Sequence, residues 1–344
     1  MSVSVKTNKA ALDFFNTEAK PIIKIHPTQE KVPAIVSYAN LYYGDIYGQT
    51  SEEDLFCLLA QPCAKSEHHH HQGDHHHNYR DPKNGAWTFK KNTEDDLFTH
   101  VQCGLADHIK SFNEIDSANA ILRSIDVYCL GKQWMYHVGK EKGVILKDFL
   151  NKCIINHTTT TSQQTPFVMV ELGSYCGYSA ILLAKAVREL YPNLDNFHLY
   201  SLEKCEKFAR IATKMIQLAK LDKYISIIIP YKQSLTKTLR DHTISKINYL
   251  LFDHDKNLYL KNLQELEREG FITKGTYVAA DNVIISPQLQ KYRNYVAKLA
   301  NNKKKIVSTS LVEQKLEYSE SQQDLKDGLE LTIYLRDPVE EEKV

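Results

Sequence analysis

A chain of 344 residues with a formal net charge of +1 and 25% charged residues carries no global field for gripping nucleic acid or an anionic membrane. Its seven cysteines are odd in number and lack CxxC pairs, and Met1–Phe15 holds no apolar signal core; reduced thiols in the cytoplasm are expected rather than a secreted disulfide framework. The length exceeds one ordinary domain, so a large domain with an appendage and small-molecule partners is expected, and no apolar run reaches the roughly 18 to 20 residues of a membrane helix.

Residues 1–94 read as an N-terminal extension. They are poorly periodic, carry Pro21, Pro27, Pro33 and Pro62, and contain the run EHHHHQGDHHHNYR from Glu67 to Arg80. Adjacent histidines on a polar linker converge on a metal only by chance, so the tract is given no functional part. Residues 95–338 read as the main domain and 339–344 as an acidic tail. In DSANAILRSIDVYC, Ala118, Ile121, Leu122, Ile125 and Cys129 recur at helical spacing, and Leu97–Phe112 and Val144–Leu150 read as further short helices. A polar spacer, NHTTTTSQQTP, follows.

Beyond the spacer the pattern becomes regular. The segments FVMVEL, FHLYSL, YISIII, INYLLFD, GTYVAAD, KIVSTSL and GLELTIYL predict strands. Helices are predicted over Ser179–Glu189 and Glu206–Leu218, near Leu235, through Leu266 and near Tyr292. Apolar strands alternating with amphipathic helices predict an α/β, Rossmann-like fold: a mostly parallel seven-stranded sheet with helices on both faces, preceded by short helices.

Ligands of such sheets sit at the carboxyl ends of the strands, where Glu171, Glu203, Asp253 and Asp281 are expected to share one edge. ELGSYCGYS, from Glu171 to Ser179, joins a strand to a helix and lacks both the G-x-G-x-x-G of a dinucleotide site and the G-K-[ST] of a phosphate loop. An acid together with a helix start suits a zwitterion, such as the methionine end of S-adenosylmethionine, and Glu203 at the next strand end suits ribose hydroxyls. Asp253, Asp281 and Asn282 offer three hard oxygens to one cation, the donor set of Mg²⁺ rather than zinc. His254 is expected to pack rather than ligate. Lys256, three residues beyond Asp253, is aimed back toward the ion as a candidate base; taken singly, each of these residues also reads as a solvated strand-end charge.

Five stretches in order resemble the magnesium-dependent catechol O-methyltransferases, a class of S-adenosylmethionine-dependent enzymes: AILRSIDVYCLGKQWMYHVGKEKG, VELGSYCGYSA, LFDHDKNLYL, GTYVAADNVI and LEYSESQQDLKDGLELTIY. The resemblance implies that Val138, Glu171, Ser179, Glu203, Gln233 and Asp253 hold S-adenosylmethionine, with Gln233 on the adenine. It implies Asp253, Asp281 and Asn282 as Mg²⁺ ligands and Lys256 as base. Lys256, Asn282, Glu317 and Trp134 would contact a catechol-type acceptor. The chain departs from the family at Asp255, where an indole is usual, at Tyr136 and His137 before Val138, at Lys232, and at Pro287, which is displaced by one and leaves Ser286 in its place.

The expected function is therefore S-adenosylmethionine- and Mg²⁺-dependent methyl transfer to a catechol hydroxyl. Two other readings stay open, a more polar vicinal-diol aromatic as acceptor, in line with Asp255, and a cofactor-binding protein without turnover. The sequence sets no oligomeric state.

Overall fold

The computed structural model describes residues 93–105, 112–131, 135–162, 164–230, 234–318 and 325–338. The His tract, Trp134, Lys232, Gln233 and the acidic tail lie outside the described residues. The chain divides into two compact units, 1–110 with 123–135, and 111–122 with 136–344. In the first, helix α1 (Thr93–Leu105) and the end of α2 (Glu114–Gly131) bury Leu97, Val101 and Ile125, and the Tyr128 hydroxyl donates to Thr93 O at 3.4 Å. No helix among the described residues is long and apolar enough to cross a membrane.

The second unit holds the start of α2 and continues as α3 (Gly139–Thr160), β1 (Phe167–Leu172), α4 (Tyr178–Leu190), β2 (Phe197–Leu202), α5 (Glu206–Leu218), β3 (Ile225–Ile228), α6 (Leu235–Asp241) and β4 (Tyr249–Phe252). A 3-10 turn (Lys256–Leu258), α7 (Tyr259–Arg268), β5 (Tyr277–Ala280), a second 3-10 turn (Pro287–Leu289), α8 (Gln290–Ala300), β6 (Val307–Lys315) and β7 (Lys326–Tyr334) complete it. The strands form one sheet in the order β3-β2-β1-β4-β5-β7-β6, parallel from β3 to β5, with β7 antiparallel to both neighbours. This is the predicted Rossmann-like class.

β4 and β5 are buried at every residue, as strands covered on both faces must be, whereas the edge strand β6 is mostly exposed beyond Val307. The inner face of α7 places Tyr259, Leu263 and Leu266 in the core with Phe252 and Tyr292. Full burial of each such leucine contributes about 1.5–3 kcal/mol.

One reading is corrected. Val144–Leu150 is only the middle of a 22-residue helix that runs through Thr160, so the first five residues of the supposed spacer are helical. The hydroxyls of Thr158, Thr159 and Thr160 donate to the carbonyls of Ile154, Ile155 and Asn156 at 2.9, 2.9 and 2.7 Å. Threonine's polar group is thereby satisfied inside the helix rather than competing with it.

Candidate active site

The strand order reverses between β1 and β4, so the loops after these strands diverge and leave a crevice at their carboxyl ends. Glu171 lies near the end of β1, Glu203 directly follows β2, and Asp253 and Asp281 each stand one residue past the paired Phe252 and Ala280. Neighbouring strands lie about 4.8 Å apart, so these last two aspartates are side by side.

On the β1 side the backbone itself is shaped for close approach. Gly173 has φ +102°, and a Cβ there would stand 2.3 Å from Asp253 O. Gly177 (φ +86°) precedes α4. Glu171 is fully buried and accepts from the hydroxyls of Ser179 and Ser201, without a cationic partner among the described residues. Burial pushes its carboxyl up to about 7, although both hydroxyl bonds oppose the rise. The Glu203 carboxylate is aimed by two backbone donors, Tyr175 N at 2.9 Å and Cys205 N at 2.8 Å. His137 is buried beside the Tyr175 and Tyr178 rings, is kept neutral by burial, and has an Nε2 with no hydrogen-bond partner among the described residues. A buried acid without a counter-charge, an aimed carboxylate and an orphaned ring nitrogen fit a ligand carrying an ammonium, hydroxyls and a further polar group, which the zwitterionic nucleoside S-adenosylmethionine supplies. Val138 directly precedes α3 and is buried.

On the β4 side Lys256 turns back, as expected from its spacing, and its Nζ donates to Asp253 Oδ1 at 2.9 Å and to the Tyr259 hydroxyl at 3.0 Å. That hydroxyl in turn donates toward Phe252 O at 2.9 Å and Asp281 O at 3.3 Å, which ties the tips of β4 and β5 together. Asn282 takes a left-handed turn (φ +63°), a conformation asparagine tolerates, and its Nδ2 donates to Asp327 Oδ2 at 2.8 Å, leaving Oδ1 as the amide's open acceptor. Glu317, expected only from resemblance, is buried against Lys142, which also contacts Asp281 and Asp327. Burial pushes Glu317 upward; Lys142 opposes this, and Asp281 and Asp327 add to it.

Four carboxylates, Asp253, Asp281, Glu317 and Asp327, thus share two ammonium groups, Lys142 and Lys256, so the acids outnumber the cations even with Glu317 held toward its protonated form by burial. That surplus suits a cation. No three His, Cys, Asp or Glu side chains converge as a metal cluster among the described residues. The expected set holds only two of these types, its third donor being the Asn282 amide, so an oxygen-preferring ion fits the chemistry present.

His254 and the departure at Asp255 each have local partners. His254 stacks on Tyr259 (5.0 Å, 8°), and its Nε2 accepts from Asn262 Nδ2 at 2.8 Å, while its buried Nδ1 has no hydrogen-bond partner among the described residues. Asp255 is exposed; it begins the 3-10 turn and accepts from Asn257 N and Nδ2, both at 3.1 Å, with Lys204 Nζ 3.9 Å away. Its carboxylate is engaged locally instead of lining an acceptor wall. Sequence reasoning missed Lys142, Tyr259 and Asp327. Only Lys142 gave a signal, a cation in the first turn of a helix, where the backbone N–H groups disfavour one.

A family model described as a methyltransferase domain matches residues 170–283. Catechol O-methyltransferase of Bos taurus is 29% identical over 231 residues, covering 67% of this chain and 75% of that protein. The Sus scrofa catechol O-methyltransferase is 30% identical over 154 residues, 44% of this chain and 74% of that protein. A solved O-methyltransferase from Bacillus cereus aligns over 70% of this chain and 100% of its own at 16% identity, with a TM-score of 0.46, a likeness that carries no weight beside the sequence relatives. The chain belongs to the catechol O-methyltransferase family and is an S-adenosylmethionine-dependent O-methyltransferase.

Proposed function

We propose that the protein methylates one hydroxyl of a small catechol in a reaction that requires Mg²⁺, with residues 95–338 as the catalytic part and the cytoplasm, which suits the thiols of Cys153 and Cys205, as its compartment. The observation that carries this reading is the return of the partly exposed Lys256 Nζ onto Asp253 at the end of β4.

Glu171, Ser179 and Glu203 would hold the two ends of S-adenosylmethionine, which when bound supplies an activated methyl group on a sulfonium. Asp253, Asp281 and Asn282 would hold Mg²⁺, which when bound supplies the charge that makes a phenol easier to ionise. A catechol hydroxyl otherwise titrates near 10 and is a poor nucleophile at neutral pH. Lys256 Nζ, steadied by Asp253 and the Tyr259 hydroxyl, is the group that takes the acceptor's proton, a role typically worth about 10²–10⁴ in rate. Glu317 accepts from the second hydroxyl. Holding donor and acceptor in attack geometry accounts for about 7–11 kcal/mol of the barrier, and no covalent enzyme intermediate is required. The local engagement of Asp255 removes the particular reason for favouring a cationic or more polar acceptor.

Incubation with labelled S-adenosylmethionine and a catechol panel, with Mg²⁺ or with chelator, tests the reading, with Asp281→Ala as the variant. Methylated product that disappears with chelator and in the variant is expected. No product on any vicinal diol, or equal product with and without chelator, overturns it.

A further inference from the structure

Lys142 sits in the first turn of α3 and is 1% exposed. A buried ammonium at a helix N-terminus is doubly disfavoured, by desolvation and by the helix dipole, and persists only where anions meet it. Three do. Its Nζ lies 2.7 Å from Asp281 Oδ1, 2.6 Å from Asp327 Oδ2 and 2.9 Å from Glu317 Oε2.

These carboxylates come from three places, the end of β5, the start of β7 and the turn after β6. One glycine lets the helix start reach them. Gly139 (φ +66°) approaches Glu317 so closely that a Cβ would stand 2.9 Å from the Glu317 Cβ. Asp327 in turn accepts from Asn282 Nδ2 at 2.8 Å and from Ile285 N at 3.3 Å. One ammonium therefore touches the carboxylate assigned to the ion and the carboxylate assigned to the second hydroxyl, and through Asp327 it reaches the amide assigned to both.

We propose that Lys142 is a positioning residue of the acceptor site. By holding Asp281 and Glu317 at a fixed separation and Asn282 through Asp327, it presents the ion and the second hydroxyl in one register, and so selects which of the two hydroxyls is methylated. The inference rests on the Mg²⁺-dependent catechol reading and goes beyond it, since neither Lys142 nor Asp327 has a part there.

Lys142→Met alone strands three buried carboxylates and endangers folding. The comparison is therefore between wild type and the double variant Lys142→Met/Asp327→Asn, which removes one charge of each sign and so leaves the net charge beside the ion site unchanged. Thermal unfolding checks that both fold. Calorimetric titration with Mg²⁺ in the absence of acceptor is expected to show about tenfold weaker binding in the double variant than in wild type, the usual cost of losing a group that orients a metal ligand. S-adenosylmethionine affinity stays the same in both. With protocatechuate, whose two hydroxyls are unequal, the ratio of the two monomethylated products moves toward equal amounts.

Lys142→Arg keeps the charge but changes its reach, and provides a second arm if the double variant does not fold; its product ratio shifts while S-adenosylmethionine affinity does not. Unchanged Mg²⁺ affinity and product ratio in the double variant, an unchanged ratio in Lys142→Arg, or a parallel loss of S-adenosylmethionine affinity overturns the proposal. Wild-type protein that methylates no catechol marks failure of the functional reading instead, and the Mg²⁺ titration still decides whether Lys142 positions Asp281.

Discussion

On the β1–β2 side of the sheet edge, Glu171 and Glu203 accept, among the described residues, from neutral donors, two serine hydroxyls and two backbone N–H groups, whereas on the β4–β5–β7 side Asp253, Asp281, Glu317 and Asp327 are set against two ammonium groups. Neutral donors aim a carboxylate without cancelling its charge, so the first region is completed by a cation that arrives with its ligand. Ammonium groups cancel charge but also fix geometry, so the second region is held in shape before anything binds and keeps only a residual demand for positive charge. On the proposed reading, the acids gathered at this edge serve a reversible guest in one half and chemistry in the other.

The largest expected effect separates the halves. Lys256→Ala should lower turnover by about 10³-fold while leaving S-adenosylmethionine affinity unchanged, as calorimetry and steady-state kinetics would show. Equal losses in both would merge the two regions into one and remove Lys256 as base.

A second, smaller effect sharpens the β1–β2 side through pH. Burial raises the Glu171 carboxyl to about 7 in the folded protein, above its unfolded value near 4.3. The folded chain therefore binds the extra proton between these values. Glu171's contribution to stability is complete below about pH 4 and falls by roughly 3 kcal/mol as pH rises through 7. The cofactor-free protein should lose thermal stability over this window, S-adenosylmethionine should bind more tightly over the same window as the acid ionises, and Glu171→Gln should flatten both slopes. Identical slopes in wild type and variant would show that neutral donors already satisfy the ionised acid.

The smallest effect lies at the boundary between the halves. Asp255→Ala removes the acceptor at the start of the 3-10 turn and should cost about 1 kcal/mol of stability or less. Little change is expected in the relative turnover of cationic and anionic catechols; a strong change would mean that this carboxylate faces the acceptor after all.

Much of the fold was readable because periodicity is a local property. FVMVEL, FHLYSL and the helix Glu206–Leu218 fall where the apolar spacing puts them. The end of α3 was not readable, because four threonines in a row look like a linker until their hydroxyls find carbonyls one turn back. Among the acids, alternation of strand and helix was enough to gather Glu171, Glu203, Asp253 and Asp281 on one edge, but Glu317 and Asp327 are set in polar stretches where an acid is ordinarily solvated.

By itself the sequence determined the order of strands and helices, the edge on which ligands would gather and the residue types available there, since burial patterns and strand-end positions follow from side-chain spacing along one chain. Only the tertiary structure decided which charges meet. Lys142 and Asp327 lie 185 residues apart, and the left-handed Gly139 lets the helix start press against the Glu317 turn that the chain reaches much later. Electrostatic partnership of that kind depends on distances in space and on the exclusion of water, neither of which is written at any single position.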